Sequence, residues 1–141
     1  MDLIIHFAET HFKLELRYAG NQIIAGFPSP AEDYLEATMD LNKTLIKHPA
    51  STFYGRVKGV SMIDAGVSEG DLLIIDKSLR YKNDALAVCF INGEFTLKRI
   101  RKEGHQVYLV PANSEFKPIE VKEDDDFSIW GIVTYIIKRA Y

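Results

Sequence analysis

A lysine in the second half of the sequence lies where its side chain could act as a base. The dipeptide Asn92-Gly93 separates the runs ALAVCFI and EFTLKRI, and it favours a two-residue hairpin turn. Counting back from this turn sets Ala87 opposite Lys98. Because side chains alternate across a strand, Lys98 shares its face with a small, apolar set: Ala85, Ala87, Cys89, Thr96 and Ile100. An ammonium is poorly solvated there, so its pKa should fall, and a neutral amine can accept a proton.

A serine earlier in the chain is the candidate nucleophile for such a base. Ser61 follows a strand and a glycine in the segment GVSM, although no nucleophile elbow of the G-x-S-x-G type is present. Serines at strand ends commonly serve as turn or capping residues. Lys98 has its own alternative, because with its neighbours it can form an exposed basic strand end: Arg99, Arg101 and Lys102. These residues alone leave the catalytic and the structural interpretations open.

Composition bounds the remaining chemistry. The 141 residues are 47% hydrophobic and 26% charged, which predicts one globular domain with a short appendage. Seventeen Lys and Arg against twenty Asp and Glu give a net charge of −3, so binding to DNA would require a local basic patch. The four histidines are scattered, and Cys89 is the only cysteine and cannot complete a thiolate site. We therefore expect no metal and no cofactor, and we interpret Cys89 as a buried, inert thiol.

The elements that would position these residues are mostly strands. In the first 24 residues, LIIHF and FKLELRY are typical of short strands. A capping box at Ser29, Pro30 and Glu32 predicts a short helix. One face of that helix would carry Ala31, Tyr34, Leu35, Thr38 and Met39. From residue 53 onward, apolar runs alternate with turn residues, and the predicted strands are FYGRVKG, LLIID, ALAVCFI, FTLKRI, VYLVP and FSIWGIVTYIIK.

Several segments together resemble the LexA/UmuD family of self-cleaving Ser-Lys serine peptidases. In order and spacing these segments are AGFPSPAEDY, DLNKTLIKHP, GVSMIDAGVSEGDLLIID, GEFTLKRI, VPANSEFKPI and WGIVTYIIK, and they span roughly residues 25 to 138. The resemblance implies a compact, mostly β peptidase domain over residues 26–141 and a flexible N-terminal arm over residues 1–25 that is removed by self-cleavage.

The resemblance also assigns roles to individual residues. Ser61 becomes the nucleophile and Lys98 the base, 98 − 61 = 37 positions apart. The bond that is cut falls between Ala25 and Gly26, where this family uses either Cys-Gly or, as in this chain, Ala-Gly. The backbone N–H groups of Val60 and Ser61 are the candidates for stabilising the oxyanion.

The same resemblance implies biological partners. It predicts a homodimer whose cleavage is stimulated by RecA filaments on single-stranded DNA during the SOS response. The shortened product would join a UmuC-type polymerase in translesion synthesis, with the replication sliding clamp as a further partner and without sequence-specific DNA binding by the chain itself. The start of the sequence, MDLIIHFAETHF, has no basic leader, and its apolar run is broken by His6 and Glu9, so we expect a cytoplasmic protein without a membrane anchor.

Three other classes of protein compete with this interpretation. A LexA-like or phage-type repressor would carry a DNA-binding domain before the cut, but only 25 residues precede Gly26, too few for a helix-turn-helix domain. A signal peptidase uses a similar dyad and would need a membrane anchor. A non-catalytic binding module, in which the arm merely docks on the domain, would not shorten itself.

Overall fold

Strands make up most of the residues that the computed structural model describes. It describes residues 2–7, 15–18, 37–59, 65–111, 115 and 117–141, with side chains from residue 40 onward. The chain divides into two compact units, Met1–Ala8 with Ala50–Tyr141, and Glu9–Pro49. The strands are β1 (Asp2–Phe7), β2 (Glu15–Tyr18), β3 (Ala37–Asp40), β4 (Thr52–Lys58), β5 (Leu72–Asp76), β6 (Leu86–Ile91), β7 (Glu94–Glu103), β8 (Gln106–Val110), β9 (Ile119–Val121) and β10 (Phe127–Ile137); helix α1 covers Leu41–Leu45, and a 3₁₀ turn covers Pro49–Ser51. The predicted mostly β fold with a short helix is confirmed.

The larger unit is built on an eight-stranded sheet in the order β1-β4-β5-β10-β6-β7-β8-β9. All neighbouring strands are antiparallel. Strands β6 to β9 form a meander, and β10 then returns to lie between β5 and β6. The six strands predicted after residue 53 are all present, and β9 is an addition that the sequence pattern did not indicate.

Apolar side chains are buried on both sides of this sheet. Successive residues of β6 point to opposite faces, so Val88 belongs to one cluster and Ala87 and Cys89 to the other. The buried members of the first cluster are Val57, Val67, Leu73, Ile75, Leu86, Val88 and Leu97. The buried members of the second are Ala87, Cys89, Ile100, Leu109 and Ile132. Burial on both faces explains why β5 and β6 read as nearly continuous apolar runs.

In the smaller unit, the helix begins later in the chain than the sequence pattern predicted. Thr38 and Met39 lie in strand β3, where Met39 pairs with Leu16 of β2, rather than on a helical face. Helix α1 begins only after Asp40, whose side chain accepts hydrogen bonds from two amides of the first turn, Asn42 N at 3.0 Å and Lys43 N at 3.5 Å. Pairing with a strand more than 20 positions away overrides the local helical pattern. The predicted cap at Ser29, Pro30 and Glu32 and the face positions Ala31, Tyr34 and Leu35 lie outside the described residues.

The two strands predicted before residue 25 are confirmed as β1 and β2. Strand β1 is an edge of the large sheet and pairs with β4 from Asp2↔Lys58 to Phe7↔Phe53. The predicted division of the chain into an arm of residues 1–25 and a domain of residues 26–141 stays a prediction.

A glycine in the centre of the sheet provides a test of core packing. Gly131 follows the register shift in β10, and a Cβ built there would come within 2.6 Å of Ile75 Cγ2. We expect Gly131→Ala to lower the free energy of unfolding by about 1–3 kcal/mol, the usual cost of overpacking, in urea titrations followed by circular dichroism. Because Ile75→Ala removes the obstructing methyl group, the double variant should lose less than the sum of the two single losses. Additive losses would contradict the clash.

Candidate active site

The hairpin that carries Lys98 has the predicted register. Asn92 and Gly93 have φ values of 47° and 87°, both in the left-handed region that a two-residue turn of this type requires. Ile91 pairs with Glu94, and Ala87 pairs with Lys98. The Asn92 side chain also donates to Asp125 Oδ1 and accepts from Asp126 N, both at 3.0 Å, which ties the turn to the loop before β10. The turn and the strand register together fix the position of Lys98 in the sheet.

Lys98 is buried among small and apolar side chains. Its relative exposure is 7%, and its face of the sheet carries Ala87 and Cys89, both fully buried, and Ile100. Burial disfavours the charged ammonium and lowers the pKa of Lys98, and only a thiolate at Cys89 would oppose part of this shift. The alternative of an exposed basic strand end is thus wrong for Lys98 itself, and it holds for Arg101 and Lys102 further along β7.

The thiol beside Lys98 stays protonated at neutral pH. Burial raises the pKa of Cys89 to about 12, and the positive charge of Lys98 only partly offsets this rise. The thiol Sγ lies 3.9 Å from the carbonyl oxygen of Ala87, which it can reach as a weak donor. Cys89 therefore places no negative charge beside Lys98, and a neutral lysine is easier to maintain there.

The burial of Cys89 gives a prediction about its reactivity. Only a thiolate reacts readily with alkylating reagents, and Cys89 is both buried and protonated in the folded chain. We expect iodoacetamide at pH 8 to leave the native protein unmodified and to add one group per chain in 6 M guanidinium, as measured by intact mass. Rapid labelling of the native protein, with circular dichroism unchanged, would contradict the inert thiol.

The other predicted site residues lie outside the part of the chain that the structure describes. These are the nucleophile candidate Ser61, the oxyanion candidate Val60, and the cleavage pair Ala25 and Gly26. Strand β4 ends at Lys58, Gly59 follows with a φ of 95°, and the description resumes at Ala65. Their catalytic roles, like that of Lys98, stay predictions.

The segment before β6 supports the Lys98 strand in a way that the sequence did not indicate. The Tyr81 hydroxyl donates to the carbonyl oxygen of Ile100 at 2.8 Å, and Asp84 N donates to the same oxygen at 2.9 Å. The sequence RYKNDA does not indicate which strand it will contact, because its partner Ile100 lies more than 15 residues away in the chain. These hydrogen bonds hold β7 in place immediately beyond Lys98.

The described residues 2–7, 15–18, 37–59, 65–111, 115 and 117–141 offer neither a metal site nor a membrane-spanning helix. No group of three or more His, Cys, Asp or Glu side chains in these ranges is arranged to hold a metal ion. Within the same ranges, no helix has the length and apolar character needed to cross a membrane.

Comparison with known families decides the class of the protein. The model of the family described as Peptidase S24-like matches residues 18–134, which include both Ser61 and Lys98. The chain belongs to the Peptidase S24-like family. This finding confirms the resemblance read from the sequence motifs, and it supports a self-cleaving serine peptidase in general.

Similar proteins are known within this class. Protein ImpA of Salmonella typhimurium is 40% identical over 117 residues, which cover 82% of this chain and 79% of that protein. Protein MucA of Escherichia coli is 36% identical over 115 residues, which cover 81% of this chain and 78% of that protein. The similarity extends over most of each sequence and supports a UmuD-type protein.

Proposed function

We propose that this chain is a UmuD-type peptidase that cleaves its own Ala25-Gly26 bond with Ser61 as nucleophile and Lys98 as general base. The observation that carries the proposal is the environment of Lys98. A lysine with 7% exposure, beside apolar groups and without a thiolate next to it, has a lowered pKa and is suited to lose its proton at a lower pH than an exposed lysine does. The family match, which spans both residues of the dyad, supports the same assignment.

The proposed reaction has two steps. Neutral Lys98 takes the proton from the Ser61 hydroxyl as the oxygen attacks the carbonyl carbon of Ala25. The protonated Lys98 then gives that proton to the departing amine of Gly26, which leaves an acyl-enzyme on Ser61. Water, activated by Lys98, hydrolyses this ester and releases Ala25 as a carboxylate. The N–H groups of Val60 and Ser61 would stabilise the oxyanion in both steps.

Ala25 and Gly26 suit this role because they have almost no side chain. A segment this small can enter a tight cleft, and Ile23, Ile24 and Phe27 can hold it on either side. The chain has two further Ala-Gly pairs, Ala19-Gly20 and Ala65-Gly66, but only Ala25-Gly26 lies in the segment AGFPSPAEDY that resembles the family's cleavage site. Because the enzyme consumes its own bond, the reaction is a single turnover. Cleavage would divide the chain into a 25-residue peptide and a product of 141 − 25 = 116 residues.

The biological setting follows from the same class. We propose that cleavage occurs in a cytoplasmic homodimer during the SOS response, stimulated by RecA filaments on single-stranded DNA. The shortened chain would then join a UmuC-type polymerase in error-prone translesion synthesis, with the sliding clamp as a further partner. The similarity to ImpA and MucA supports a role in SOS mutagenesis.

The test of the proposal is the mass of the product. Purified protein incubated at pH 10, or with RecA, nucleotide and single-stranded DNA at neutral pH, is expected to yield a 116-residue chain whose first residue is Gly26. Intact mass measures the length of the product, and N-terminal sequencing identifies its first residue. Another new N-terminus would refute the assigned bond. A chain that stays at full length under both conditions while folded would favour the non-catalytic binding module.

A further inference from the structure

Basic side chains are concentrated around the end of β7 that lies beyond Lys98. Three of them belong to the strand itself, and two belong to the segment before β6. This basic patch consists of Arg80, Lys82, Arg99, Arg101 and Lys102. All are exposed except Arg99, which is half-buried. The proposed cleavage chemistry uses none of them.

Backbone contacts hold the two parts of the patch side by side. Asp84 N donates to Ile100 O at 2.9 Å, and Ile100 N donates to Ala85 O at 3.3 Å. Lys102 N donates to the Asn83 side chain at 3.2 Å. The segment before β6 therefore lies alongside β7 and continues the line of strand β6. These contacts hold all five basic residues at one end of β7. Because side chains alternate along a strand, Arg99 and Arg101 lie on one face of it and Lys102 lies on the other.

The patch carries a marked excess of positive charge. Asp84 is the only acidic residue within 80–84 and 99–102; it pairs with Arg101 at 3.5 Å, and its backbone oxygen accepts from Arg99 Nη1 at 2.7 Å. Five cations and one carboxylate give 5 − 1 = +4, or +3 with Glu103 at the strand end. The whole chain carries −3, so the rest of it carries −3 − 4 = −7. A local positive field therefore stands out from an acidic body.

Two cations of the patch are available to a ligand. Within the described part of the chain, neither Arg80 nor Lys102 makes a side-chain hydrogen bond or ion pair. One aromatic side chain lies on each face. Tyr81 packs against the cluster of Ile100 on the Lys102 face, whereas Tyr108 lies opposite Arg101 on β8 and therefore on the other face. Both rings are partly exposed.

We propose that this basic patch binds single-stranded nucleic acid through its phosphates, without reading its sequence. Lys and Arg supply the main binding energy for phosphate backbones because binding releases condensed counterions. Tyr81 and Tyr108 add one ring on each face on which unpaired bases can stack, and a flexible single strand can pass from one face to the other at this end of β7, which a closed duplex cannot do. An acidic protein segment would satisfy the cations but would leave the aromatic rings without a specific role.

Binding can be measured independently of self-cleavage. The full-length Ser61→Ala chain is titrated into a fluorescently labelled 20-nucleotide oligo-dT, and anisotropy is recorded between 20 and 200 mM salt. We expect log Kd to rise by about 0.7 per phosphate contact for each tenfold increase in salt concentration. Three contacts would give a slope of about 2 for log Kd against the logarithm of the salt concentration. Because this chain need not cleave, the result stands whether or not the proposed dyad is right.

Charge-reversal variants locate the site. In the same background, Arg80→Glu with Lys102→Glu is expected to weaken binding at least about tenfold and to lower the salt slope by about 1.4, for two lost contacts. The matched control, Lys58→Glu with Arg139→Glu, makes the same change in net charge at exposed positions on β4 and after β10, two strands that do not pair with β7. It should weaken binding less than about threefold. Circular dichroism checks the folding of each variant, and Arg80→Gln with Lys102→Gln replaces the reversal pair if that pair does not fold.

Several outcomes would overturn the proposal. Equal losses in the patch and control variants would mean that only net charge matters. Tighter binding of a 20-base-pair duplex would exclude a single-strand site. Displacement of the oligonucleotide by poly-glutamate at equal charge concentration would assign the patch to an acidic protein. If the oligonucleotide does not bind at 20 mM salt, or if its Kd does not rise as salt is added, there is no such site.

Discussion

Lys98→Ala and Ser61→Ala are each expected to abolish self-cleavage. Removal of a positioned general base commonly costs a factor of about 10²–10⁴ in rate, and without the serine hydroxyl no acyl-enzyme forms. We therefore expect a cleavage rate at least about 100-fold below that of the unmodified chain, measured by intact mass over several days at pH 10. Because Lys98 is the only buried lysine among the described residues, its loss should not be compensated by a neighbour.

The matched control for this experiment is Lys102→Ala. Lys102 lies on the same strand and the same face as Lys98, but it is exposed. Its removal should leave the cleavage rate at pH 10 within about twofold of the original. Circular dichroism and the urea midpoint show whether each variant is folded. A folded Lys98→Ala chain that is cleaved at the normal rate would remove Lys98 from the mechanism.

The rate of self-cleavage is expected to rise with pH and to level off below the pKa of an exposed lysine. Only the neutral amine of Lys98 can take the serine proton, so the logarithm of the rate should rise with unit slope while the ammonium predominates. Burial lowers the pKa of Lys98, and the plateau should therefore begin below about 10.4. A histidine base would give a plateau near about 6.5. First-order rates from pH 6 to 11, with circular dichroism at each pH, distinguish the two.

The lowered pKa of Lys98 also makes the free energy of unfolding depend on pH. Between the lowered pKa of folded Lys98 and its higher pKa in the unfolded chain, the unfolded state binds more protons, so the free energy of unfolding rises with pH. Below the folded pKa both states carry the proton, and the full cost of burying the charge is present. Above the unfolded pKa that cost is gone. Urea titrations should show this rise in the Ser61→Ala chain and lose it in Ser61→Ala with Lys98→Met, and equal pH dependence in both chains would contradict it.

The environment of Lys98 could be predicted because it depends on local rules. The Asn92-Gly93 turn fixes the hairpin register, and strand alternation then determines which side chains share the face of Lys98. The helix was misplaced because its pattern was equally local, whereas the pairing of Met39 with Leu16 joins distant parts of the chain. The sequence thus predicts a structural feature correctly where the contacts that determine it join residues close together in the chain.

The basic patch shows the opposite case. From the sequence, the run KRIRK can be recognised as basic, but Arg80 and Lys82 become its neighbours only through hydrogen bonds between the segment before β6 and β7. No spacing rule specifies those contacts, because the closing of a long loop depends on the whole sheet. Strand β9 was missed for a similar reason, since Ile119–Val121 is short and is defined by its pairing with β8.

The central place of β10 in the sheet governs the order in which this fold can assemble. Strands β6 to β9 are joined to their neighbours in sequence and can pair early, as local hairpins do. By contrast, the pairing of β5 with β10 must close the 132 − 76 − 1 = 55 residues between Asp76 and its partner Ile132, and the entropy of that loop is lost before any contact is gained. We expect the transition state for folding to contain the meander, with β10 joining late. Neither hydrophobic cluster can then be completed until β10 is in place, so partly folded chains would expose the inner edges of β5 and β6 to other molecules.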